Sequence, residues 1–286
     1  MSEGVVAVLG LGEAGARYAA DLLAAGVTVV GHDPVARPEI PGLRQVDDPV
    51  AAVRDAAYVL SLNSASVAAT VAAAAAPGLR PGAVFADLNT GAPEIKRRVA
   101  ETVEPAGAAF VDVAVLAPVP RRGLRTPVAV AGSGRARLTS FLAAFDVPVE
   151  DAGPRPGAAA ARKLLRSVFM KGIAAVLLES LEIGALAGHE DWLREQIVAE
   201  LTAADRAFVD RLVDGTPRHA GRRLAEMRAV ADYAAGLGAG HDITRATIAR
   251  LERLVADPAA AEQADRADRA DQSDRAGADP EEKKTP

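Results

Sequence analysis

Cysteine is absent from the 286 residues, which rules out disulfides, thiolate nucleophiles and cysteine-based zinc sites. Histidine is nearly as scarce. His32, His189, His219 and His241 are scattered, with no HExxH and no ligand-like spacing, so no metal site is expected. Lysine is rare too, five against 28 arginines. With alanine so abundant, this reads as the codon bias of a GC-rich genome, and a single Arg carries little functional weight. No basic run is long enough to track a phosphate backbone, so nucleic acid is not an expected partner. The first residues lack a charged n-region and a small-residue cleavage site, and no signal peptide is expected. The uncharged run from Ala56 to Leu79 is long enough for a bilayer. It contains Ser61, Asn63, Ser64, Ser66 and Thr70, however, and reads as strand, turn and Ala-rich helix. The expectation is a soluble, cytoplasmic protein with no membrane partner.

What is present is apolar bulk and an uneven charge. Half the residues are hydrophobic, enough for a sizeable core. The net charge of −5 is mostly local: residues 257–286 hold nine acids and five bases, which leaves the body nearly neutral. That segment is poor in apolar bulk and rich in Asp and Arg, so residues 258–286 are expected to be a disordered acidic tail.

The amino-terminal stretch carries the clearest chemistry. VVAVLG reads as a buried parallel strand, and Gly10-x-Gly12-x-x-Gly15 follows it. ARYAADLLAAG then has helical periodicity to Gly26, and VTVVGHD is a second strand ending at Asp33. In this order Gly10 permits the tight turn, Gly12 lets a pyrophosphate approach the backbone, and Gly15 lets the helix pack close to the strand. The helix amino terminus offers its amides to the anion. Gly10, Leu11, Gly12, Glu13, Ala14 and Gly15 are thus candidate cofactor contacts. Asp33 is placed to accept from the adenosine ribose, which favours NAD, although Arg37 could pair with the 2′-phosphate of NADP.

The pattern continues with strands AYVLSL, AVFADL and AFVDVA. Ligands bind beyond the carboxyl ends of strands in open α/β sheets, which puts Asn63, Ser64, Asn89 and Thr90 near the cofactor. Strand-end turns and helix caps use the same residue types. After Pro154 and Pro156, Gly157–Glu182 reads as a helix, apolar nearly all round and about 39 Å long. Such a helix is expected to be buried through much of its length. Helices are expected over Gly132–Phe145, Asp191–Asp214, Pro217–Ala235 and Asp242–Ala256, and a strand over Val147–Val149. Asp191 and Asp242 are candidate N-caps, and the third of these helices begins after Thr216-Pro217. The expected organisation is a Rossmann domain, a doubly wound parallel sheet, over 1–156. An all-helical substrate and dimerisation domain follows over 157–257, joined by the long helix.

These motifs, GLGEAG, DLNTGAPE (Asp87–Glu94), FVDVAV (Phe110–Val115) and the helix with Gly157 six residues before Lys163, resemble the 3-hydroxyacid dehydrogenase superfamily. That superfamily includes the 6-phosphogluconate and 3-hydroxyisobutyrate dehydrogenases. DLNTGAP is similar to the family's D-x-S-T-x-x-P, with Asn89 in place of Ser. SVFMKG, HAGRR and EM are most similar to a phosphogluconate-dehydrogenase-like branch. The resemblance implies NAD or NADP as cofactor, a homodimer through the helical domain, and Lys163 as the catalytic acid–base. Burial and the adjacent Arg162 and Arg166 would favour a neutral Lys163 that takes a proton from a substrate hydroxyl as hydride leaves. Ser167, one turn on, would orient substrate, and Lys171, on roughly the same face, is the fallback for the acid–base role.

Two departures bear on the substrate. Leu116, Ala117 and Pro118 stand where the family has Ser-Gly-Gly, and Arg166 and Ser167 where it has an Asn. Leu116, Arg121 and Lys171 are candidate substrate contacts; the basic loop Arg121, Arg122 and Arg125 could supply the missing anion site, though the Arg bias slightly favours a solvated loop. Glu179 and His219 are further candidate site residues, although a lone helical His is more often a satisfied surface or core group. The expected activity is hydride transfer between nicotinamide and a small hydroxyacid or its keto or semialdehyde form. Imine reductases share the architecture but generally replace the Lys with Asp or Tyr. A dinucleotide-binding sensor or scaffold without turnover is the alternative of another class.

Overall fold

The computed structural model describes residues 4–257, so the expected tail lies outside the described residues. The chain divides into two compact units after Phe169.

In the first unit β1 (Val5–Leu9) leads through the glycine turn into α1 (Glu13–Ala24), and β2 (Val29–His32) and β3 (Arg44–Gln45) follow. Then come α2 (Pro49–Val53), β4 (Ala56–Ser61), α3 (Ala68–Ala75), β5 (Val84–Asp87), α4 (Pro93–Val103) and β6 (Ala109–Val115). A short α5 (Val119–Arg122), β7 (Val128–Ala131), α6 (Arg135–Ala143) and β8 (Val149–Asp151) complete the sheet. The strand order is β3-β2-β1-β4-β5-β6-β7-β8. Every neighbouring pair is parallel except β6 and β7, which run antiparallel.

Alternation along the strands feeds two cores. Val6 and Val8 of β1 pack with Tyr18, Leu22, Leu138 and Leu142 on the face covered by α1 and α6. Ala7 and Leu9 pack with Val53, Ala72, Val99 and Val103 on the face covered by α2, α3 and α4. Burial on both faces explains why β1 reads as an unbroken apolar run. Strand order reverses between β2 and β4 on either side of β1, and this switch point opens a crevice at the carboxyl ends.

Several expectations about elements need correction. β7 lies in a segment to which no element is assigned from sequence, because VAVA is short and follows Thr126-Pro127. The last strand is Val149–Asp151 rather than Val147–Val149, and α6 starts at Arg135, after the GSG turn.

The long helix α7 (Ala158–Leu186) crosses the division between the units. It is less buried than its composition suggests. Leu165, Val168, Phe169 and Leu178 are each more than 60 % exposed. A helix of 29 residues is about 44 Å long, more than one small unit can flank.

In the second unit the expected helix over Asp191–Asp214 is two, α8 (Glu190–Ala203) and α9 (Arg206–Arg218). Asp205 takes the extended conformation between them and accepts from the Phe208 amide at 2.9 Å, so it caps α9 rather than extending α8. Pro217 falls inside the last turn of α9, and α10 (Ala220–Gly236) begins only after His219. Asp191 and Asp242 are first-turn residues of α8 and α11 (Asp242–Ala256), whose cap positions are His189 and His241. The amides that open α11 are met from elsewhere. Glu179 accepts from Ile243 N at 2.6 Å, Thr244 N at 2.8 Å and Thr244 Oγ1 at 2.7 Å.

Burial pushes the Glu179 carboxyl up, but the Thr244 hydroxyl and the two amides outweigh it and hold the group below its ordinary value. A depressed carboxylate stabilises fully above its unfolded value, about 4.3, and that contribution is lost as pH falls through the folded value. Glu179→Ala is expected to cost about 0.5–2 kcal/mol at pH 7, as for a lost cap. In urea denaturation the gap from the wild type should shrink once the carboxylate is protonated. An equal gap in acid would show that the charge contributes nothing.

Candidate functional site

The turn after β1 is shaped by what cannot fit there. Gly10 has φ +97°, and a Cβ on it would sit 2.3 Å from the Leu62 carbonyl oxygen. A Cβ on Gly15 would lie 1.9 Å from the Gly10 carbonyl oxygen, so α1 reaches its seat against β1 only with glycine there. Gly12 is different, because nothing lies within 4 Å of its missing Cβ. It occupies the N-cap position of α1 without a side-chain cap, and Gly12 and Glu13 are exposed. An open approach to an uncapped helix start suits a pyrophosphate, and the residues present fit a dinucleotide.

Asp33, at the end of β2, does more than await a ribose. Its Oδ2 accepts from Leu11 N at 2.8 Å, and its Oδ1 from Val35 N and Ala36 N, both at 2.8 Å. Burial raises its pKa, but these amides lower it further and the net shift is downward. Leu11 itself is buried, and its side chain packs beneath Gly31. Arg37 is exposed and donates to Asp47.

At the ends of β4 and β5 the two asparagines are spent on the strand ends themselves. Asn63 Nδ2 donates to the Leu9 carbonyl at 3.1 Å and to Ser61 Oγ at 3.0 Å, and its amide donates to Asn89 Oδ1. Asn89 Nδ2 donates to Asp87 Oδ1 at 2.6 Å and to Ser61 Oγ at 3.2 Å. These side chains stitch the strand ends together. Ser64, exposed, shares a hydrogen bond with Ser66 at 2.8 Å.

Beyond these ends lies a cleft of about 340 Å³, lined among others by Ala14, Asn63, Ser64, Thr90, Val115 and Lys163. Lys163 Nζ donates to Thr90 Oγ1 at 2.9 Å. The first turn of α1, two strand ends and the start of α7 thus meet at one opening. The neighbouring cations turn elsewhere: Arg162 pairs with Glu150, and Arg166 donates to the Leu116 carbonyl at 3.3 Å. Ser167 is partly buried on α7 and does not line the cleft. Leu116 does not line it either, and its amide goes to the Pro127 carbonyl at 2.9 Å. Arg121 is exposed in α5, and Arg125 lies 3.6 Å from Asp146. Lys171 is exposed and belongs to the second unit, as do the α11-capping Glu179 and the exposed His219.

Sequence reading missed Lys96, which is 1 % exposed. Asp87 and Asp112 are direct partners in the β5–β6 register, and Lys96 Nζ lies 3.2 Å from Asp87 Oδ2 and 3.5 Å from Asp112 Oδ1. It also donates to the Asp87 carbonyl at 2.8 Å. Burial pushes the Asp112 carboxyl up, and Lys96 and the Ala160 amide pull it only part of the way back. A signal for Lys96 was present. With Val99, Ala100 and Val103 it falls on the i, i+3, i+4, i+7 stripe that α4 buries.

Comparison with known proteins places this geometry. Residues 5–119 match the family profile described as the NAD binding domain of 6-phosphogluconate dehydrogenase, and residues 185–254 match a domain of unknown function, DUF1932. An uncharacterized 28.5 kDa protein from Methanothermus fervidus is 29 % identical over 147 residues, 50 % of this chain and 55 % of that relative. The match thus spans little more than half the relative's length. The conserved protein MTH1747 of unknown function, whose structure is similar to 3-hydroxyacid dehydrogenases, is 26 % identical. That alignment covers 91 % of this chain and 99 % of that one, with a TM-score of 0.58. An imine reductase from Pseudomonas sp. shares the fold, with 20 % identity, 88 % and 93 % coverage and a TM-score of 0.73. The resemblance to the 3-hydroxyacid and 6-phosphogluconate dehydrogenases is borne out, as is the Rossmann sheet with a helical carboxyl-terminal part. Among the described residues no cluster could hold a metal ion, and no helix is long and apolar enough to cross a membrane.

Because a Cβ on Gly12 meets open space, Gly12→Ala is expected to fold normally yet obstruct the anion. Its melting temperature should stay within about 2 °C of the wild type, and NADH affinity by fluorescence titration should fall about tenfold or more. Unchanged affinity would place the dinucleotide elsewhere.

Proposed function

We propose that the chain is an NAD(P)-dependent oxidoreductase, since residues 5–119 match the profile of the NAD binding domain of 6-phosphogluconate dehydrogenase. In this reading it moves a hydride between nicotinamide and a small hydroxyacid or its keto or semialdehyde form. The observation that carries it is Lys163 Nζ against Thr90 Oγ1, in a cleft that Ala14 of the first α1 turn also lines.

Bound nicotinamide supplies the hydride acceptor. The unprotonated Lys163 amine takes the proton from the substrate hydroxyl as the C–H hydride leaves and the carbonyl forms; in reverse it returns the proton. Thr90 holds the amine in the cleft, and Ser167, which does not line it, takes no part in this step. Leu116, Arg121 and Lys171 are not needed for this step. NAD is the favoured cofactor, since Asp33 disfavours a 2′-phosphate and Arg37 is engaged by Asp47.

The imine reductases share the fold, but the retained Lys163 favours a hydroxyl substrate. A sensor without turnover would keep the cradle and need no Lys163. Screening 3-hydroxyacids and phosphorylated sugar acids with NAD and NADP separates these readings. Lys163→Met is expected to bind NADH as the wild type does and to lose roughly 10²–10⁴ in turnover. Near-normal turnover in that variant would remove Lys163 from the mechanism.

The reading includes a cytoplasmic location and a homodimer through residues 157–256. Supporting the dimer are exposed apolar side chains there, among them Leu165, Val168, Phe169, Leu178 and Trp192. Light scattering at micromolar concentration should give the dimer mass; a monomer would refute it.

A further inference from the structure

We propose that Lys96 is the positioning residue for Lys163: its buried ammonium holds both the Asn89–Thr90 strand end and the first turn of α7, and so fixes Lys163 Nζ against Thr90. The inference rests on the proposed acid–base role of Lys163 for its catalytic meaning.

Each carboxylate beside Lys96 divides its two oxygens in the same way. Asp87 turns Oδ2 to Lys96 at 3.2 Å, while Oδ1 accepts from Asn89 N at 3.0 Å and Asn89 Nδ2 at 2.6 Å. The next residue is Thr90. Asp112 turns Oδ1 to Lys96 at 3.5 Å, while Oδ2 accepts from Ala160 N at 2.9 Å. Ala160 lies in the first turn of α7, three residues before Lys163. Two chains of contacts leave one ammonium and converge on the 2.9 Å bond between Lys163 and Thr90.

The oxygens that face Lys96 are buried and have no hydrogen-bond partner among the described residues, so the ammonium charge is what compensates them. Without it both carboxylates would turn toward water, and that movement releases what their other oxygens hold. A third pin lies beside these two. Gly157, at φ +91°, brings the chain so close to the start of α4 that a Cβ would lie 2.8 Å from the Pro93 carbonyl oxygen. The start of α7 is therefore seated on the helix that carries Lys96.

The test reads the position of Lys163 without turnover. Full-length protein is labelled with trace acetic anhydride, and peptide mass spectrometry compares Lys163 with the exposed Lys171 as internal standard. Thr90→Ala removes the acceptor directly and is expected to raise the Lys163:Lys171 ratio about threefold or more, the scale of one lost hydrogen bond. Lys96→Met and Asp112→Asn should raise it by a similar factor while retaining the wild-type far-UV circular dichroism. Asp112→Asn keeps the Lys96–Asp87 pair, but either orientation of its amide sets the NH2 against Ala160 N–H or the ammonium. It decides the matter if Lys96→Met does not fold. A Lys96 that merely stabilises the fold would lower the melting temperature and leave the ratio unchanged. An unchanged ratio in the folded variants, or in Thr90→Ala, overturns the proposal. Since labelling needs no catalysis, this inference fails separately from the acid–base assignment.

Discussion

One ammonium between two carboxylates, all three 1 % exposed or less, is the constraint on which the rest of the site depends. Taking such groups out of water is costly, and removing one partner from a buried cluster typically destabilises by about 3–5 kcal/mol. The cost is met here because the parallel register sets Asp87 beside Asp112, and α4 crosses with Lys96 at the same height. The second oxygen of each carboxylate is then aimed outward, one at the strand end and one at α7. A hydrophobic replacement would fill the volume but fix neither direction.

The glycine turn works by a complementary logic. Gly10 and Gly15 remove atoms so that β1, α1 and the β4 end can approach, while Gly12 leaves an opening where the helix amides face outward. Asp33 closes the arrangement from beside it, tying the turn to β2 through the Leu11 amide. The acid that would read a ribose therefore also sets the shape of the anion cradle. A substitution there would alter both.

Much of this was legible in the chain because it is local. GLGEAG between a strand and a helix, and polar residues at successive strand ends, declare a dinucleotide crevice by order and spacing alone. Lys163, which the structure sets in the cleft, was legible only through the family resemblance, which places a lysine six residues after such a glycine. Lys96 was not, since Lys96-Arg97-Arg98 reads as a solvated basic run and only the apolar stripe of α4 betrays which of the three turns inward. The strand pairing that gives Lys96 its partners is non-local, as is the capping of α11 by Glu179 from 64 residues away. β7 was hidden by its brevity. The apolar surface of α7 marks another limit, because composition shows that a face needs cover but not what covers it.

The central claim is that the glycine cradle and Lys163 serve one bound dinucleotide. Lysine-selective NMR during titration with NAD⁺ tests it directly, for the chain has only five lysines to resolve. The Lys163 side-chain resonance is expected to shift in step with the saturation of the cradle. NAD⁺ binding to saturation with the Lys163 signal unmoved would contradict the claim.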